Sequence, residues 1–136
     1  MKPLIWTERR ARPRRPLRIL VVDDHALGAE AVALALSSAG HEARFAVSGR
    51  SALEQIALWT PDVAVLDINM PSPDGFQLAA LLRAMELLRD LVLIAYTSMD
   101  ELAVKSKGIE AGFDGFCQKG MGTAPLLDMI ALFAPL

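Results

Sequence analysis

Ile19-Leu20-Val21-Val22-Asp23-Asp24-His25 sets four apolar residues, three of them β-branched, directly against two carboxylates. So short an apolar run with polar ends reads as a strand of a parallel sheet buried on both faces. Ligands of such sheets bind in the crevice beyond the carboxyl ends of the strands, which is where Asp23 and Asp24 fall. The arrangement recurs three times along the chain. Val63-Ala64-Val65-Leu66 precedes Asp67, Leu91-Val92-Leu93-Ile94-Ala95-Tyr96 precedes Thr97, and Phe113 to Cys117 precedes Lys119.

Between these runs lie stretches of helical length and periodicity, with a further strand near Ala43 to Val47. Alternating strands and helices predict right-handed crossovers and a helix-covered parallel sheet, an α/β fold of five strands and five helices. The expected helices are Ala26 to Ala39, stopped by Gly40; Ser51 to Trp59, stopped at Thr60-Pro61; Phe76 to Leu88, entered through the turn cluster Pro71-Ser72-Pro73-Asp74-Gly75; Asp100 to Ala111, weakened by Gly108; and Ala124 to Phe133, followed by Pro135. These elements use up the 136 residues, so one folded domain is expected.

With 53% hydrophobic residues the chain has enough apolar surface for a real core. Its apolar stretches fall short of the ~20 residues that a membrane helix requires, and Leu4-Ile5-Trp6 runs quickly into charge rather than forming a signal-peptide core. The lone Cys117 has no partner for an internal disulfide and reads as a small core residue. A cytoplasmic setting is the expectation. Charge is unevenly spread: residues 1–18 carry seven basic side chains against Glu8 alone, a net of +6, and the remainder is at −8. Like charge together with Pro3, Pro13 and Pro16 predicts that residues 1–16 form a disordered basic arm or linker ahead of a domain at 17–136.

Three carboxylates converging at strand ends repel one another unless a cation joins them. Carboxylate and carbonyl oxygens with room for water suit Mg²⁺, with Mn²⁺ as a substitute, whereas a thiolate- or imidazole-rich set would point to zinc. One carboxylate beside such an ion can attack phosphorus and form an acyl phosphate. The loose transition state then asks for in-line placement and positive charge, for which Lys119 supplies an ammonium and Thr97 a hydroxyl donor. Each residue alone has an ordinary explanation: Asp24, His25 or Thr97 as a helix cap, Lys119 as a solvated side chain. Independent caps have no reason to fall at the ends of four different strands.

From Leu17 to about Phe133 the chain resembles a response-regulator receiver domain of two-component signalling. The matching motifs are Ile19 to His25, Leu66-Asp67-Ile68-Asn69-Met70-Pro71 with Asp74-Gly75, Tyr96-Thr97-Ser98, and Ala111 to Lys119. The resemblance implies strand order 2-1-3-4-5 and a phosphoacceptor, Asp67, supplied by a histidine kinase or histidine phosphotransfer protein. Asp24, Asp67 and the Asn69 backbone carbonyl would bind Mg²⁺ directly, with Asp23 acting mainly through water on the metal. Thr97 and Lys119 would contact the phosphoryl group. Thr97 and Phe116 would then form the switch that remodels the face of the fourth helix, fifth strand and fifth helix, a surface for a downstream protein or for weak dimerisation of an otherwise monomeric chain. The implied activity is a self-phosphorylating and self-dephosphorylating switch rather than a turnover enzyme, and DNA binding is not expected from this chain.

Gly120 departs from the family pattern, which usually has Pro there, often through a cis peptide that helps aim the Lys. A non-proline cis bond costs roughly 3 kcal/mol, so a trans, looser connection after Lys119 is expected. Two other readings compete with a switching receiver. A receiver-like module that only mediates contacts is one. The other is an aspartate-nucleophile phosphatase of the haloacid-dehalogenase type, which normally needs a second Asp where this chain has Asn69.

Overall fold

The structure, a computed structural model, describes residues 4–134. Lys2 and Pro3 of the expected arm, and Pro135 beyond the last helix, lie outside the described residues. The strands are β1 (Leu4–Ile5), β2 (Arg18–Val22), β3 (Glu42–Ala46), β4 (Val63–Leu66), β5 (Val92–Thr97) and β6 (Gly115–Gln118). The helices are α1 (Ala26–Ser38), α2 (Gly49–Ile56), α3 (Gly75–Arg83), α4 (Glu101–Ala111) and α5 (Ala124–Phe133). The sheet runs β1-β6-β5-β4-β2-β3. Strands β2 to β6 are parallel and keep the expected neighbours, but the sheet has six strands rather than five, because β1 adds an antiparallel edge to β6.

Strand side chains alternate between faces, so one sequence run feeds two cores. Leu20, Val22, Leu66 and Leu93 pack against Ala52 and Ile56 of α2, Leu78 and Leu82 of α3, and Val104 of α4. Ile19, Val21, Val65 and Ile94 pack on the other face against Ala29, Ala33 and Leu36 of α1, and Leu126, Ile130 and Phe133 of α5. The helices begin where their caps are. Asp74 and Gln77 exchange bonds at 2.8 Å each in a capping box at α3, and Asp100 accepts from the Ala103 amide at α4. The third helix is shorter than expected: it ends at Arg83, Met85 is extended, and Glu86–Leu88 form one 3₁₀ turn. That break returns the chain to β5 with Leu88 and Leu91 buried.

The expected N-terminal arm makes definite contacts: residues 4–11 lie against the domain, and the exposed residues 12–16 reach it through the side chains of Arg12 and Arg14. Beyond β1, the Trp6 amide donates to Asp114 O at 2.7 Å, and the amide of buried Ala11 donates to Phe133 O at 3.0 Å. The arginines find the acidic residues of the body: Arg9 pairs with Asp114, Arg12 with Asp90 and Arg14 with Asp62. The net positive charge that argued for disorder is what the acidic remainder of the chain attracts.

Candidate functional site

The chain leaves β2 toward β3 on one side and returns through β4 on the other, so β2 and β4 flank the point where strand order reverses. Their carboxyl ends splay open there, and residues one step beyond each strand face a common crevice. Asp23 and Asp24 follow Val22, Asp67 follows Leu66, and carboxylate oxygens of all three lie within 4.8 Å of one another. Backbone bonds extend the sheet past its last pairs to hold them: Asp23 N donates to Ala46 O at 3.1 Å and Asp67 N to Val22 O at 2.9 Å. Asp23 is buried, Asp67 half-buried and Asp24 exposed.

Lys119 enters from β6 and brings Asp23 and Asp67 together, with Nζ 2.5 Å from Asp23 Oδ2 and 3.1 Å from Asp67 Oδ2. Its own amide donates to Thr97 O at 2.8 Å, which ties its root to the end of β5. The Tyr96 ring lies beneath the ammonium, 5.6 Å away at the centroid. Burial lowers the Lys119 pKa, but the hydrogen bond to Asp23, the field of Asp67 and the bond to its carboxylate outweigh burial and hold it above the ordinary lysine value. The lysine is therefore a fixed cation at neutral pH. The Lys119–Gly120 peptide is trans, and Gly120 takes φ +115°, a region that residues with a Cβ rarely adopt. The turn after Lys119 thus uses a glycine conformation where the resembling family usually has Pro.

The other expected residues fall around this centre. The Asn69 amide donates to Asp67 Oδ1 at 3.3 Å, so the loop after β4 curls back on its own carboxylate. Thr97 is fully buried and its hydroxyl accepts from the Met99 amide at a long 3.4 Å, without a hydrogen bond to Asp67. Phe116 sits three residues before Lys119, buried and stacked on Trp6. Sequence reasoning missed two supports. Gly75 closes on the loop after β4 so tightly that a Cβ there would stand 2.3 Å from Asp67 O, and its amide donates to Ile68 O. Tyr96, read as the end of an apolar run and as part of the Tyr96-Thr97-Ser98 motif but given no role, is the floor beneath Lys119; its place one residue before Thr97 was the available signal.

The donor set fits a hard divalent cation. It offers only oxygens, three carboxyl groups face a single ammonium, and exposed Asp24 leaves one side open to water. His25 does not compete, because its Nδ1 accepts the Gly28 amide at the start of α1.

A doubly wound α/β domain with a lysine-braced acidic crevice at its switch point is the architecture of a signalling receiver. The chain belongs to the response regulator receiver domain family, whose model matches residues 19–131. Response regulator MprA of Mycolicibacterium vanbaalenii is 37% identical over 112 residues, 82% of this chain and 48% of that protein, so the chain spans about half the length of the curated relatives it matches. Among solved structures, chemotaxis response regulator CheY4 of Vibrio cholerae superposes with a TM-score of 0.81 at 26% identity, covering 86% of this chain and 98% of that one. Response regulator TrrA of Thermotoga maritima, solved in complex with Mg²⁺-BeF, gives 0.74 at 26% identity, covering 86% and 98%. The fold is CheY-like, and the family's proteins are signalling switches of two-component systems. No helix among the described residues is long and apolar enough to cross a membrane.

Proposed function

We propose that residues 17–136 act as a phosphoacceptor receiver in the cytoplasm, taking a phosphoryl group onto Asp67 from a histidine kinase or histidine phosphotransfer protein. The observation that carries this reading is the Lys119 ammonium shared between Asp23 and Asp67 inside the three-carboxylate cluster. TrrA's complex with Mg²⁺-BeF supports the same chemistry by similarity.

A carboxylate oxygen of Asp67 attacks phosphorus, the new P–O bond forms as the donor's P–N bond breaks, and the leaving imidazole takes its proton from solvent. Asp24, Asp67 and the Asn69 carbonyl would hold Mg²⁺, with Asp23 beside them; when bound, the ion supplies charge neutralisation for the incoming phosphoryl oxygens. Lys119 is already charged and anchored, so it moves from two carboxylates to a phosphoryl oxygen without a proton transfer. The Thr97 hydroxyl gives up only a long bond to the Met99 amide if it turns toward the same group. Asn69 is a carboxamide and cannot act as the general acid or base that a haloacid-dehalogenase-type phosphatase places there, which favours a switch over a turnover phosphatase. Movement of Thr97 and repacking of Phe116 then alter the α4–β6–α5 face that a downstream protein reads.

The test uses a small P–N donor. Phosphoramidate with Mg²⁺ should add one phosphoryl mass to the intact chain. EDTA should suppress the gain and Asp24→Asn should reduce it. A gain of equal size without divalent metal would overturn the metal-dependent reading.

A further inference from the structure

We propose that the outer edge of β6 is a strand-docking surface, and that its resident occupant is this chain's own N-terminal segment, residues 4–11, which leaves when Asp67 is phosphorylated. The coupling half of this inference rests on the function proposed above. The docking half stands on geometry alone.

The segment matches its seat residue by residue. Leu4 and Ile5 pair with Phe116 and Gly115, and the Trp6 ring stacks on Phe116 with centroids 6.0 Å apart and planes 15° from parallel. Two glycines make room for it. A Cβ on Gly108 of α4 would stand 3.0 Å from the indole, and one on Gly115 would stand 3.2 Å from Leu4 O. Gly108 weakens α4 as a helix, and the indole is what occupies the space that it leaves. Behind the strand, Thr7 Oγ1 donates to Asp114 Oδ1 at 2.7 Å and Arg9 Nε to the same oxygen at 3.1 Å, latching the segment to a fully buried carboxylate. The family match begins at residue 19, so this latch lies outside the part of the chain that defines a receiver.

The seat is built to be left. The ladder is two residues long, and Leu4, Ile5 and Trp6 are only partly buried. The Trp6 indole N–H is buried with no hydrogen-bond partner among the described residues, a cost that is relieved when the segment detaches. The route from the site is short. Lys119 and Phe116 sit three residues apart at the end of one strand, whose Cys117 and Gln118 pair with Tyr96 and Thr97. A dianion on Asp67 draws on Lys119 and Thr97 together, and any shift of β6 passes to Phe116 and so to the stacked indole. By linkage, detaching the segment must favour phosphorylation to the same extent. A protein that binds the α4–β6 face must then compete with residues 4–11 for it.

Hydrogen exchange on the full chain, read by mass spectrometry with and without Mg²⁺ and acetyl phosphate, tests both halves. The Trp6 and Ala11 amides should be protected at rest and exchange at least tenfold faster in the phosphorylated chain, while β4 stays protected. Trp6→Ala should lose the resting protection and raise the phosphorylated fraction at equal donor. Trp6→Phe keeps a ring without the orphan N–H and should shift both readouts the other way, a comparison that does not depend on the alanine variant folding. Free exchange of these amides at rest would overturn docking, and equal protection in both states would overturn coupling. Protection that rises with protein concentration would assign the docked segment to a second copy and overturn the intramolecular seat. An absence of any phosphoryl adduct would overturn the reading of Asp67 and the coupling with it, while resting protection in the same spectra still decides docking.

Discussion

Lys119 pairs with two carboxylates of the acidic cluster and, in the function proposed above, supplies the cation that phosphoryl transfer needs. Replacing it with Met should lower phosphorylation of Asp67 by about 10²-fold, the scale seen when one preorganised electrostatic donor is removed, measured as the initial rate of adduct formation. Its pKa is raised in the folded chain, so the stability it contributes is fully present below the ordinary lysine value and is lost as pH rises through the folded value. The urea midpoints of wild type and Lys119→Met should therefore differ by a constant amount through neutral pH and converge only in strongly alkaline solution. Cys117 is a second residue with a defined titration. Burial pushes its thiol up to about 11, so it stays protonated while an unfolded thiol ionises from lower pH, and this contribution too is lost as pH rises. Iodoacetamide at pH near 8.5 should label it only after unfolding; quantitative labelling of the native chain would contradict its burial.

At the scale of elements, the approach of α3 to the loop after β4 is the tightest support of the site. Both atoms nearest a Cβ on Gly75 are backbone, Asp67 O at 2.3 Å and Ile68 Cα at 2.7 Å, so neither can rotate away. Gly75→Ala should cost about 1–3 kcal/mol, as overpacking does, and should also displace Asp67 enough to slow phosphorylation. Asp74→Ala, which removes one arm of the capping box a residue earlier, should cost about 1 kcal/mol with a smaller effect on the site. Paired urea titrations and adduct rates separate the two. The third helix also shows where local pattern stops being legible. Phe76 to Leu88 is periodic throughout, with neither Gly nor Pro, yet it breaks at Met85 because Leu88 and Leu91 must be buried on the way into β5. That demand is tertiary and leaves no mark in the sequence.

For the whole molecule, the five parallel strands and the positions of Asp23, Asp24, Asp67 and Lys119 were legible because runs buried on both faces are continuously apolar and the polar residues end them. The placement of residues 4–16 was not. Composition reports net charge but not which acidic residue will meet each arginine, and β1 exists only because β6 offers an unpaired edge. The short apolar run Leu4-Ile5-Trp6 was the one signal of a strand there. With one carboxylate cluster among the described residues that could hold a metal, the chain should gain stability from Mg²⁺ by mass action, about 1.4 kcal/mol at ten times the Kd, and Asp24→Asn should abolish the gain in urea titrations. The central claim is that Asp67 forms an acyl phosphate. Treating the chain with acetyl phosphate and Mg²⁺, reducing it with borohydride and mapping peptides should convert Asp67, and no other carboxylate, to homoserine. Unmodified Asp67, or reduction at Asp23 or Asp24 in its place, would contradict the account.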